Sequence, residues 1–312
     1  MTAAQAGGRS HGRQETLRRM PPRTNPSERQ RRLGVELRRL RVRAGLSGDA
    51  AAEVIEAERT RISHIESGRV DVPRNGLYRL LRAYGCPEGA YFESLMEMAH
   101  ESGRGWWGEY SDTIGPAARD LAELESRTTV LRTHEPMLVP GMLQTEEYAR
   151  AVLATTESDP QRASRYAQFR LARQRVLTGA SPLTYHAVIH EAALHTRVGG
   201  TAVMRKQLLR LIEVSRLPNV TVQIFPFEAG NYAAHTQSFV LYGASAPELD
   251  TVYLEHPTQS LFLRDGKQLD EYAKMFERLS ELALPPVDPE SAPESHESRD
   301  SLSLVQHVMY TL

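Results

Sequence analysis

Two domains of different class are predicted: an all-α N-terminal domain of five short helices, then a mixed α+β C-terminal domain. Three observations carry this. Between residues 31 and 100, apolar residues recur at helical spacing and glycines cut the pattern into short segments. Between residues 183 and 254, runs rich in β-branched and aromatic residues alternate with helical stretches. The charge is also split. The 312 residues carry 38 basic and 39 acidic side chains, a net −1. Residues 1–82, however, hold 18 Arg against nine Asp or Glu, so the matching acidic excess lies behind them. A basic front end suits a polyanion.

Each element has its own signal. Leu33, Leu37 and Leu40 share one helix face with Arg on the others, and Gly45 ends that helix. Ser47 can N-cap the second helix, with Asp49 near its positive end and Ala51, Val54 and Ile55 inward. Ile62 and Ile65 mark a third, closed by Gly68, with Pro73 just beyond. Leu77, Leu80, Leu81 and Tyr84 make a fourth, and Tyr91, Phe92, Leu95, Met96 and Met98 a fifth. After Gly103 the pattern changes, and Trp106 and Trp107 read as a linker packed on a neighbour. Residues 117–133, 146–154, 164–177, 203–214 and 269–282 read as helices. Residues 183–189, 220–226, 238–242 and 251–254 read as strands. The domains expected are a disordered basic arm (1–30), the five-helix domain (31–100), the α+β domain (104–287) and a tail (288–312). Leu302–Leu312 turn apolar again and fit a short docking strand or helix.

Several classes are set aside. No apolar run approaches the 18 residues of a membrane span. No apolar h-region follows the Arg-rich start, so no secretory signal is expected. A single cysteine, Cys86, excludes an internal disulfide framework and a Cys-rich zinc site, and reads as a small buried helix-end residue. A cytoplasmic setting is expected, with no cofactor.

The stretch Leu46–Arg69 carries the most specific signal. Two short helices joined by a tight turn, behind an Arg-bearing helix, meet the needs of a helix-turn-helix. Ala52 is small where two helices cross, Ala57 is apolar at the turn, and Ile62 and Ile65 anchor the third helix by one face. Glu58, Arg59, Arg61 and His64 are left on its outer or N-terminal side. A helix fits the major groove, and Arg is the best reader of guanine. Arg59 and Arg61 are therefore the first base-contact candidates, then Thr60, Ser63 and His64. Arg38, Arg41 and Arg69 are the phosphate candidates, and the remaining helix 1 arginines are expected near the backbone too.

Residues 33–82 resemble the helix-turn-helix domain of the Xre/lambda-repressor-like family, most tellingly in Ile62-Ser63-x-Ile65-Glu66-x-Gly68-Arg69. The resemblance implies that Glu66 buttresses the fold and that Gly68 ends the recognition helix. Two positions depart from the family. Gly48 stands where Gln usually opens the second helix. Glu56 stands where the turn usually has Gly, which points to a different turn or a longer second helix. A second resemblance rests on R-T-H-E-P-M-L-V-P-G-M-L-Q-T (from Arg132), A-V-I-H-E-A-A-L-H-T-R-V-G-G (from Ala187), L-P-N-V-T-V-Q-I-F-P-F (from Leu217) and V-Y-L-E-H (from Val252). These look like the domain of unknown function that follows the helix-turn-helix in many actinobacterial, Streptomyces-type regulators. The resemblance implies a cytoplasmic transcription regulator, sometimes paired with a small protein encoded nearby. The partners expected are double-stranded DNA, a second copy in a homodimer, and such a small protein.

Two other classes fit parts of the sequence. One is an antitoxin-like interaction module that regulates its own operon. The other is an enzyme, which is not expected. His186, His190, Glu191 and His195 do not have the spacing of a zinc helix. Arg132, Ser238 and Glu255 occur in the order used for ADP-ribosyl transfer, with loose spacing. The stretch from His134 to Thr145, rigid with two prolines and a glycine, is expected to line a pocket or docking groove.

Overall fold

The computed structural model describes residues 22–101, 103–229, 236–256, 259–290 and 299–312. Most of the expected basic arm and part of the expected tail lie outside them.

The front of the chain forms α1 (Glu28–Arg43), α2 (Gly48–Val54), α3 (Arg59–Glu66), α4 (Arg74–Ala83) and α5 (Ala90–His100). Helix α1 starts earlier than its apolar pattern does. Ser27 accepts from the Gln30 N–H while the Gln30 side chain accepts from the Ser27 N–H, a capping box that brings Glu28 and Arg29 into the helix. The leucines of α1, α4 and α5 meet Ile62 and Ile65 in one core. Helices α1 and α3 approach backbone to backbone. A Cβ on Gly34 would lie 2.4 Å from the Glu66 carbonyl oxygen, and one on Gly68 2.7 Å from that of Gln30.

The second domain opens with α6 (Pro116–Glu125) and builds a sheet from β1 (Val130–Glu135), β2 (Thr184–His190), β3 (Val220–Phe225), β4 (Phe239–Gly243), β5 (Thr251–His256) and β6 (Gln259–Leu263). Strand order is β3-β2-β1-β4-β5-β6. Strand β1 is the seam: it pairs parallel with β2, Arg132 opposite His186, and antiparallel with β4, Arg132 opposite Leu241. The predicted helix over 117–133 is therefore wrong in its second half. Helix α6 stops at Glu125, and pairing on both sides makes 130–135 a strand. Around the sheet lie α7 (Glu146–Leu153), α8 (Pro160–Arg173), α9 (Glu191–His195), α10 (Thr201–Val214), α11 (Gly266–Leu282) and α12 (Ser301–Thr311). Helices α10 and α12 share a core with Leu131, Tyr185 and Ile224; α11 packs Phe276 and Leu279 on the other face, against Val188, Phe239 and Val252. The apolar end of the expected tail is thus α12, with Val305 and Val308 buried in the core. Trp107 is buried in an aromatic cluster with Tyr110 and Phe169.

From Val139 on, the stretch expected to line a pocket is packed scaffold, while Met137 before it is exposed. Val139, Pro140, Met142, Leu143 and Gln144 are buried. Three glutamine amides replace regular backbone pairing there. Gln144 donates to the Val139 carbonyl (2.8 Å), and Gln174 to those of Gly141 (3.1 Å) and Gln144 (2.8 Å). Gln207 donates to the Leu143 carbonyl and accepts from the Thr145 N–H, both at 2.8 Å.

The two domains meet across the first half of α1. Arg29 pairs with Glu123 at 2.5 Å and donates to the Met98 carbonyl. Arg31 pairs with Asp120 at 3.1 Å. Arg32 donates to the carbonyls of Glu248 (2.6 Å) and Asp250 (3.2 Å). Glu28 pairs with Arg264. Ala246 and Leu249 of the second domain complete the helical core. Arg31 and Arg32, expected near a phosphate backbone, instead face protein, and Arg29, expected in a disordered arm, is buried at the same junction. Cavities of about 550 and 610 Å³ flank the junction.

Gln207→Leu leaves the Leu143 carbonyl and the Thr145 N–H unpaired in a buried setting. The expected cost is about 3 kcal/mol, read as a lower urea midpoint.

Candidate nucleic-acid interface

The interface is built by α2, a four-residue turn and α3. Ser47 caps α2 by accepting from the Ala50 N–H at 3.0 Å. The turn is a Schellman cap: the Ala57 N–H reaches the Ala52 carbonyl (2.9 Å) and the Glu56 N–H that of Glu53 (3.2 Å). Helices α1, α3 and α4 end the same way, with Gly45, Gly68 and Gly85 at the left-handed position. At the corresponding place in α2 stands Glu56, with φ of 53°. The departure noted at Glu56 therefore changes neither the turn nor the helix length. It puts a side chain where its Cβ is crowded by the following carbonyl. Arg79 donates twice to the Glu56 carboxylate, both at 3.0 Å, but the pair is exposed and offsets little.

Helix α3 is locked by one face. Ile62 and Ile65 are buried, Ala52 is buried against the same core, and Gly68 closes the helix beneath α1. Arg59, Thr60 and Ser63 are exposed, with Arg61 and His64 half-buried at the edge of that face. All five base-contact candidates therefore come together on or beside one surface. Arg59 leans over the start of α2 toward Asp49, at 3.5 Å. A Cβ on Gly48 would meet the Arg59 stem at 3.5 Å, an ordinary contact, so the lean of Arg59 does not require glycine there.

The phosphate candidates divide. Arg38 and Arg69 are exposed. Arg41 is drawn inward: its guanidinium forks onto both Glu66 oxygens, at 2.6 and 3.0 Å, and donates to the Leu46 carbonyl at 2.8 Å. This is the buttress expected of Glu66, with Arg41 as its partner. Sequence reasoning gave no hint of that pairing, because Arg41 differs from its neighbours only in facing α3. Gly34 was also missed; its signal was a glycine inside a strong helix pattern.

The alternative constellations do not assemble. Among the described residues no three His, Cys, Asp or Glu gather as metal ligands. His186 bonds Gln223 at 2.7 Å, the His190 ring accepts from the Ala192 N–H to cap α9, and His195 stacks on Phe227. Arg132 and Glu255 stand on opposite faces of the sheet, by strand alternation from Val252 and the register. Glu255 shares its face instead with Glu135, which burial and that neighbouring charge push up to about 8.

Comparison with known families follows this division. A helix-turn-helix domain model matches residues 32–90. A model described as a domain of unknown function (DUF5753) matches residues 118–291, more than half of the chain. The chain belongs to the DUF5753 family. Its DUF5753 match takes in the six-stranded sheet and α11, and the helix-turn-helix match the α2–α3 unit, which implies DNA binding. No curated protein and no solved structure matches the chain. No described helix is long and apolar enough to cross a membrane.

Two outcomes are expected. Arg41→Ala strands the Glu66 carboxylate against the helix junction and should cost about 2–3 kcal/mol of stability, read by urea unfolding. Glu56→Gly relieves the left-handed turn and should stabilise by about 0.5–1 kcal/mol, seen as a higher midpoint.

Proposed function

We propose that the protein is a cytoplasmic, sequence-specific transcription regulator that binds DNA as a homodimer, with α3 in the major groove. The observation that carries this is the two-sided character of α3. One face is fixed by Ile62, Ile65 and Gly68, so the other holds Arg59, Thr60, Ser63 and the flanking Arg61 and His64 in a defined register. Fixed register is what converts hydrogen bonding into base discrimination. Exposed Arg38 and Arg69 supply attraction that does not depend on sequence. Two copies on a palindromic site add avidity that one small module lacks. The DUF5753 domain acts as a sensor of a ligand or of a small protein partner rather than as an enzyme. Its acidic excess and its anchorage on the first half of α1 support this, because that junction leaves α3 uncovered.

An operator recovered by selection from random DNA tests the reading. Arg61→Ala should lose about 1–3 kcal/mol on that operator and little on random DNA. Arg69→Ala should weaken both alike and lower the salt slope by about one. Equal losses for both variants on both DNAs would remove Arg61 from the base-reading set.

A further inference from the structure

We propose that the junction cavity between α1 and the α11 face of the sheet binds a compact anion bearing a carboxylate or phosphate, held by Arg132 and Arg264. This rests on the reading of the second domain as a sensor and names the ligand chemistry. The cavity is about 610 Å³, the size of a small-molecule site. Leu241, Leu269 and Ala273 supply apolar lining. Arg132 stands on β1, the seam of the sheet, half-buried. No ion pair or hydrogen bond of its guanidinium is found among the described residues. Its charge is felt only at longer range by Asp250, and a guanidinium on a central strand with its N–H groups uncommitted is a ready anion receptor. Arg264 lies on the wall, its Nε fully buried and lacking an acceptor. Burial lowers its pKa although one terminal nitrogen meets Glu28, so an anion on the remaining N–H groups would restore part of what desolvation removes.

The carboxylates nearby restrict the ligand further. Asp250 is committed to the Ala244 N–H at 2.9 Å. Glu248 and Asp270 are exposed and line the same cavity. They repel an extended polyanion such as DNA while leaving room for a small one. Occupancy also has a route to the DNA-binding domain. The carboxylate that Arg264 holds belongs to Glu28, in the first turn of α1. An anion on Arg264 competes with Glu28 and so loosens one anchor of the helical domain.

The test uses the full chain without DNA, titrated with citrate or inorganic phosphate against chloride at matched ionic strength. One of the two anions should give saturable binding heat and raise the thermal midpoint by about 3 °C near ten times its Kd. Which one does so separates a carboxylate from a phosphate ligand. Arg132→Gln should keep the midpoint in chloride, since it removes no hydrogen bond or ion pair, and should weaken anion binding at least about tenfold. Arg175→Gln, an exposed arginine elsewhere, should bind as the parent does. Absence of saturable binding by both anions, or undiminished binding by Arg132→Gln, overturns the site. Operator affinity that stays within about twofold at anion saturation overturns the coupling. Failure to bind any operator would instead count against the function proposed above and leave the anion result standing.

Discussion

Helix α1 has to satisfy two cores at once, and the rest of the molecule depends on how it does so. Leu33, Leu37 and Leu40 commit one stripe to the helical domain. Gly34 lets that stripe press against the end of α3. The remaining surface of the first half carries Arg29 and Arg32, both about 6 % exposed. A guanidinium buried that deeply is costly unless its N–H groups are matched. The second domain matches part of them with Glu123 and with the carbonyls of Glu248 and Asp250; the helical domain adds the Met98 carbonyl, and Arg32 Nε has only the charge of Glu36 beside it. Burial still lowers the pKa of Arg32, so the junction depends on complementary geometry more than on apolar area.

The division of charge along the chain has a different meaning once the contacts are known. An excess of arginine at the front reads as attraction to a polyanion, and part of it is. Arg38, Arg43 and Arg69 are exposed. Arg29, Arg31 and Arg32 face Glu123, Asp120 and the β4–β5 connection, so the acidic excess behind them is in part their counter-charge. Arg41 serves Glu66 within the helical domain itself. Composition reports how many charges a segment has, and only packing decides which of them meet solvent.

Much of the helical domain was legible in the sequence because local chemistry and tertiary packing agree there. The leucine spacing of α1, the Ser47 cap, the isoleucines of α3 and the glycine stops all mark the elements that form. Strands β2 to β5 were legible for the same reason. Strand β1 was not, because Leu121, Leu124 and Val130 continue one helical pattern, and only neighbours on both sides turn residues 130–135 into a strand. The candidate reading residues were legible as a surface, since burial of Ile62 and Ile65 fixes what is left outside. The Arg41–Glu66 fork and the glutamine-held stretch before α7 were hidden, because each joins residues tens of positions apart.

The capping box at Ser27 puts Glu28, Arg29 and Arg31 inside α1, yet the helix-turn-helix family match begins at residue 32. The mechanical joint between the domains therefore straddles the edge of the unit that sequence families treat as interchangeable. A recombination event that cut at that edge would inherit a complete DNA-reading fold and lose half of its coupling to the partner domain. Modularity in this chain stops one helical turn short of where sequence families draw it.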